Sequence, residues 1–132
     1  MESRWKKSRF TVTAVRYYVM WTTKYLRPVL TDDVKPALAS LIRKRAGEIN
    51  VTVENLSVSS DRVAIVLASS PLNAPHYIVQ QLKRATSLSL RMQYQTLRTR
   101  IPTLWNREYY LRSLDAETEE KEEDFIEGER RK

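Results

Sequence analysis

The segment Ser60-Asp61-Arg62-Val63-Ala64-Ile65-Val66-Leu67 constrains this chain more than any other. It is short and bounded by serines, with Pro71 beyond. Side chains alternate along a strand, so Val63, Ile65 and Leu67 share one face. Arg62, Ala64, Val66 and Ala68 share the other. A strand with apolar residues on both faces belongs inside a sheet, covered on at least one side.

The flanking segments supply the other elements. Residues 9–21 are rich in Val, Thr, Tyr and Phe and read as a long strand. Its apolar parity shifts between Phe10, Val12 and Val15, Tyr17, Val19, Trp21, which predicts a bulge or strong twist near Ala14. An unpaired edge of that composition would aggregate, so residues 9–21 are the expected dimer edge. Asp32 or Asp33 is the expected cap of a first helix that tolerates Pro36 in its first turn. Val34, Leu38, Leu41, Ile42 and Ile49 carry that helix to about Gly47. A strand follows at 50–58. Asn73 with Pro75 opens a second helix with a predicted buried stripe of Ile78, Leu82, Ala85 and Leu88. A basic connection spans 91–107, a last strand Glu108–Leu114, and a charged helix 115–130. The order β-α-β-β-α-β predicts an α+β, ferredoxin-like fold. On this pattern residues 1–114 are expected to form an antiparallel sheet with two helices on one face, and 115–132 an acidic C-terminal helix or tail of the same domain.

Charge is distributed unevenly. Residues 1–114 hold nineteen basic and seven acidic residues, net +12, and residues 115–132 four and nine, net −5. A basic body suits a polyanion, although a solvated surface has the same composition. Arg43, Lys44, Arg45, Lys83, Arg84, Arg98 and Arg100 are the candidate DNA contacts. The chain has no Cys, which excludes disulfides and thiolate metal sites. Two glycines cannot build a phosphate-cradling loop. Val63-Ala64-Ile65-Val66 has no aromatic residue for RNA bases to stack on. No apolar run approaches the ~20 residues needed to span a bilayer. The basic N-terminus leads into an alternating segment, so a cytoplasmic protein without membrane attachment is expected. His76, the only histidine, reads as a surface residue, and Tyr109 and Tyr110 as packing aromatics. Glu54, Asp61 and Glu129 lack any metal-binding spacing.

Four pieces carry a resemblance. They are Tyr18-Val19-Met20-Trp21 with Lys24-Tyr25, Arg27 and Val29-Leu30; the strand at 60–67; Ile78-Val79, Leu82-Lys83, Thr86-Ser87 and Leu90; and Leu104-Trp105 before Tyr109-Tyr110 and Ser113. In this order they resemble the small single-tyrosine transposases of the HUH superfamily. These serve minimal insertion sequences, with relatives associated with repetitive extragenic palindromes. The resemblance implies a divalent metal such as magnesium, held by two histidines and a glutamine, and a tyrosine nucleophile on the C-terminal helix. Here Arg62 and Ala64 stand at the histidine positions, and Phe125 and Glu129 at those of the tyrosine and glutamine. Arg cannot ligate a cation, Ala has no donor atom, and Phe lacks the hydroxyl. No intact catalytic set, metal or cofactor is therefore expected. The resemblance also implies a homodimer and a hairpin or single-stranded DNA partner. A nickase with a relocated site and a protein-interaction module are the alternatives.

Overall fold

The computed structural model describes residues 14–99 and 103–114. In chain order they form β1 (Val15–Thr22), a 3-10 turn at Lys24–Leu26, α1 (Val34–Glu48), β2 (Thr52–Val58) and β3 (Arg62–Ser69). Then come α2 (Pro75–Gln93), α3 (Gln95–Thr99) and β4 (Tyr110–Ser113). The strands make one antiparallel sheet in the order β2-β3-β1-β4. The two-faced strand β3 lies inside it, as its composition demands.

Each face of β3 has its own core. Val63, Ile65 and Leu67 join Val19 and Trp21 of β1 beneath Leu38 and Ile42 of α1 and Ile78 and Leu82 of α2. Both long helices therefore cover one side of the sheet. On the opposite side Ala64 and Val66 are buried with Tyr18, and Met20 and Leu114 pack against them. β2 contains an irregularity between Val53 and Asn55. Glu54 lies at this bulge and pairs with Arg16 of β1. Among the described residues no helix is long and apolar enough to cross a membrane.

Several local expectations are corrected. β1 pairs with β3 along its whole length and with β4 from Tyr17 to Met20, so this part of residues 9–21 is not a free edge. The outer strands are β2 and β4. The expected shift near Ala14 involves residues 9–13, which lie outside the described residues. The end of α1 is close to expectation: the helix runs to Glu48, one residue past the expected end near Gly47. Asn50 takes the left-handed conformation (φ 62°), Val51 N–H donates to Ala46 O, and Asn50 N–H to Gly47 O. Asn is among the few side chains that adopt this conformation readily. Asp33 stands at the N-cap position of α1, as expected, but makes no side-chain cap bond; its Oδ1 accepts from Thr31 Oγ1 at 2.5 Å.

Asn73 does not cap α2 either. Pro75 starts that helix, and Asn73 Nδ2 instead donates to Ile49 O and Ser69 Oγ. The buried stripe of α2 is Ile78, Val79, Leu82, Thr86 and Leu90, while Leu88 is 64% exposed. The stripe steps by four residues through Thr86, a polar residue whose Oγ1 donates to Leu82 O. That bond permits its burial and hides the stripe from a reading by hydrophobicity alone.

Candidate functional site

The face of the sheet away from the helices holds Arg62 and Ala64, the positions expected from the resemblance to correspond to the family's histidines. Arg62 and Ala64 lie two residues apart on β3 and therefore on one face. Arg62 is partly buried, and its Nε donates to Asp61 Oδ1 at 3.1 Å. Ala64 is 1% exposed and sits between Met20 of β1 and Ser57 of β2. A buried methyl beside a guanidinium is not a donor set for a divalent cation. Among the described residues no group of three His, Cys, Asp or Glu side chains converges as a metal site. Phe125 and Glu129 lie outside the described residues, as does the tail at 115–132.

His76, Tyr109 and Lys83 meet on the other side of the molecule. One stripe of α2 is fastened to the segment leading into β4. Trp105 Nε1 donates to Thr86 Oγ1 at 3.0 Å, in a buried contact. Lys83 Nζ donates to Asn106 O at 2.7 Å, Arg107 O at 3.1 Å and Glu108 O at 3.4 Å. His76 Nδ1 lies 2.8 Å from the Tyr109 hydroxyl, with the rings stacked. Residues 76, 83 and 86 recur at helical spacing, so the helix and the segment run antiparallel. Burial of the Lys83 ammonium lowers its pKa from the usual 10.5. Lys83 is thus an internal fastener as well as a positive charge. The Tyr109 hydroxyl is likewise engaged, one residue before the strand on which it was expected.

The basic residues fall into two groups. On α1, Arg43 and Lys44 are exposed, and Arg45 is tied to Glu48 of the same helix and Gln81 of α2. On α2 and α3, Arg84, Ser87, Leu88, Arg91, Met92 and Arg98 line a groove of about 450 Å³. A second hollow of about 280 Å³ shares Arg84 and Ser87 and continues past Lys83 and Trp105 to Arg107. Together they form a basic channel along the exposed side of α2. Arg100 lies outside the described residues. Arg91 and Arg107 were absent from the candidate contacts. Arg91 could have been placed by its seven-residue offset from Arg84, but Arg107 reaches the channel through tertiary bonds that hold its segment on α2, those of Lys83 among them.

The comparisons agree with this architecture. The model of the IS200-like transposase family matches residues 11–129. The ISDra2 transposase TnpA of Deinococcus radiodurans is 27% identical over 125 residues, covering 93% of this chain and 89% of its own. A crystal structure from Deinococcus radiodurans R1, of a protein assigned to the transposases, has a TM-score of 0.79 at 27% identity. It covers 94% of this chain and 97% of that one. The structure of a REP-associated tyrosine transposase bound to a REP hairpin has a TM-score of 0.65 at 10% identity and shares the fold. It covers 85% of this chain and 64% of that one. A central two-faced strand, two helices on one side and a family match over nearly the whole sequence lead to one assignment: this chain belongs to the IS200-like transposase family.

Proposed function

We propose that this chain is a DNA-binding member of its family that has lost strand cleavage. The observation that carries the reading is the buried methyl of Ala64 beside the Asp61-bound Arg62. The two positions from which the family would hold its metal offer no ligating atom. The replacements at Phe125 and Glu129 point the same way. Binding is supported by the basic channel along α2 and by the hairpin carried by the REP-associated relative. Exposed Arg84 and Arg98 would neutralise phosphates, and Arg43 and Lys44 would extend the positive field. The partner is hairpin or single-stranded DNA. The working form is a homodimer, with the second copy against an outer strand, β2 or β4.

The test is fluorescence anisotropy with a hairpin oligonucleotide across a salt series, followed by incubation with magnesium or manganese. Affinity should fall steeply with salt, each phosphate contact adding roughly 0.7 to 0.9 to the slope of log affinity against log salt. Arg84→Ala and Arg98→Ala should each reduce that slope. No covalent protein–DNA adduct and no shortened strand should appear. A metal-dependent adduct or nick would overturn the loss of cleavage, and a flat salt response would overturn the binding mode. Sedimentation showing a monomer at micromolar concentration would refute the dimer.

A further inference from the structure

The turn after β1 has a conformation that a simple connection does not need. Tyr25 (φ 59°) and Leu26 (φ 54°) are consecutive non-glycine residues in the left-handed region. Residues with a Cβ are strained there, and such strain persists only where surrounding contacts enforce it. Here they do. Thr23 is fully buried, its N–H donates to Asp61 O at 2.9 Å, and its Oγ1 donates to Arg27 O at 2.7 Å. Lys24 N–H donates to Leu104 O, and Leu26 N–H closes the turn onto Thr23 O. Thr23 also bridges to Trp105, and Leu30 N–H reaches Ser60 O.

This bracing pushes two large side chains outward. Tyr25 is 66% exposed and Leu26 53%. The Lys24 ammonium lies 5.3 Å from the centre of the Tyr25 ring, and Arg27 is exposed two residues further on. A fixed aromatic ring flanked by cations is the arrangement that binds an unpaired base while holding its phosphates. The turn hangs from Ser60 and Asp61, so it stands at the start of β3, next to Arg62.

We propose that Tyr25 is a stacking platform for one unpaired nucleobase, with Lys24 and Arg27 on the neighbouring phosphates. This rests on the DNA-binding reading and adds to it a base contact far along the chain from the α2 arginines. Paired bases inside a duplex present no free face, so the site selects a single-stranded stretch beside a hairpin.

The test uses the full chain and a hairpin oligonucleotide with a single-stranded flank carrying 2-aminopurine. The wild type and Tyr25→Phe should quench the 2-aminopurine and bind alike. Tyr25→Ala should bind roughly 5- to 140-fold more weakly, the loss expected for one stacked base. Its salt slope should not change, because no phosphate contact is removed. Thermal melting establishes that each variant is folded. Wild-type binding and quenching by Tyr25→Ala would overturn the platform while leaving DNA binding intact. An equal loss in Tyr25→Phe would overturn it in favour of the hydroxyl. Dissociation of a dimer by Tyr25→Ala, with affinity per folded dimer unchanged, would assign the turn to a second copy instead. Absence of any wild-type binding, with or without the flank, would remove both readings together.

Discussion

Thr86 and Trp105 allow a quantitative test of how α2 is joined to the segment before β4. Thr86 is fully buried and Trp105 is 6% exposed, with 3.0 Å between Nε1 and Oγ1. Thr86→Val keeps the volume of the side chain and leaves no cavity. It strands a buried indole N–H, at a cost of about 1–3 kcal/mol. The added methyl returns up to about 0.8 kcal/mol. With the methyl credited in full, the net expected loss is about 0.2–2.2 kcal/mol. An unfolding entropy of about 2.1 cal/mol/K per residue then gives a drop of about 1–8 °C in Tm. Guanidinium unfolding followed by far-UV circular dichroism measures the loss without relying on tryptophan emission. The decisive comparison is with Trp105→Phe, which removes the donor. In that background Thr86→Val should be close to neutral, giving a coupling of about 1 kcal/mol or more. An equal cost of Thr86→Val in both backgrounds would refute the bond as the source of the stability.

Three further outcomes follow from local geometry. Gly47 lies within α1, and a Cβ there meets nothing within 4 Å, so Gly47→Ala should stabilise by about 0.5–1 kcal/mol in the same unfolding assay. Lys83 should titrate below 10.5 by side-chain NMR; between its folded pKa and 10.5 the unfolded chain binds more protons, so the Lys83 contribution to stability should rise with pH across that window. The Thr31 hydroxyl, followed by the Asp33 backbone amide, holds the Asp33 carboxyl below 3.8; its stabilisation should be present above 3.8 and lost as pH falls through the folded pKa, and Thr31→Val should move the NMR midpoint back up.

Much of the architecture is legible in residues that act locally. The two apolar faces of Val63–Leu67 require an interior strand, and β3 is one. Periodicity places both helices and orders all four strands. That neither Arg62 nor Ala64 can ligate a cation is a matter of residue identity, so it too is readable before any fold. The bonds that cap the helices are less legible. Gly47 is the better left-handed residue by propensity, yet Asn50 holds that conformation because Val51 must reach into the core, where it is 5% exposed. Leu88 fits a helical stripe when counted from Leu82 by threes. It is exposed because packing against the sheet selects the steps of four through Thr86.

Contacts between distant residues could be decided only by the assembled fold. Lys83 reads from its neighbours as one more phosphate contact. Its acceptors are backbone carbonyls 23 to 25 residues away, and no carbonyl announces itself in a sequence. Residues 9–21 read as a potential free edge, because whether a strand is flanked depends on where β3 and β4 return. The left-handed Tyr25 and Leu26 are the clearest case. Local propensity argues against that conformation, and the N–H groups of Thr23 and Lys24, donating to Asp61 O and Leu104 O, impose it. Alternation and residue chemistry act over a few positions, so the sequence by itself determines the elements and their order. Hydrogen bonds that span tens of residues exist only once the sheet has closed, so the tertiary structure decides which cations stay available and which aromatic ring faces outward.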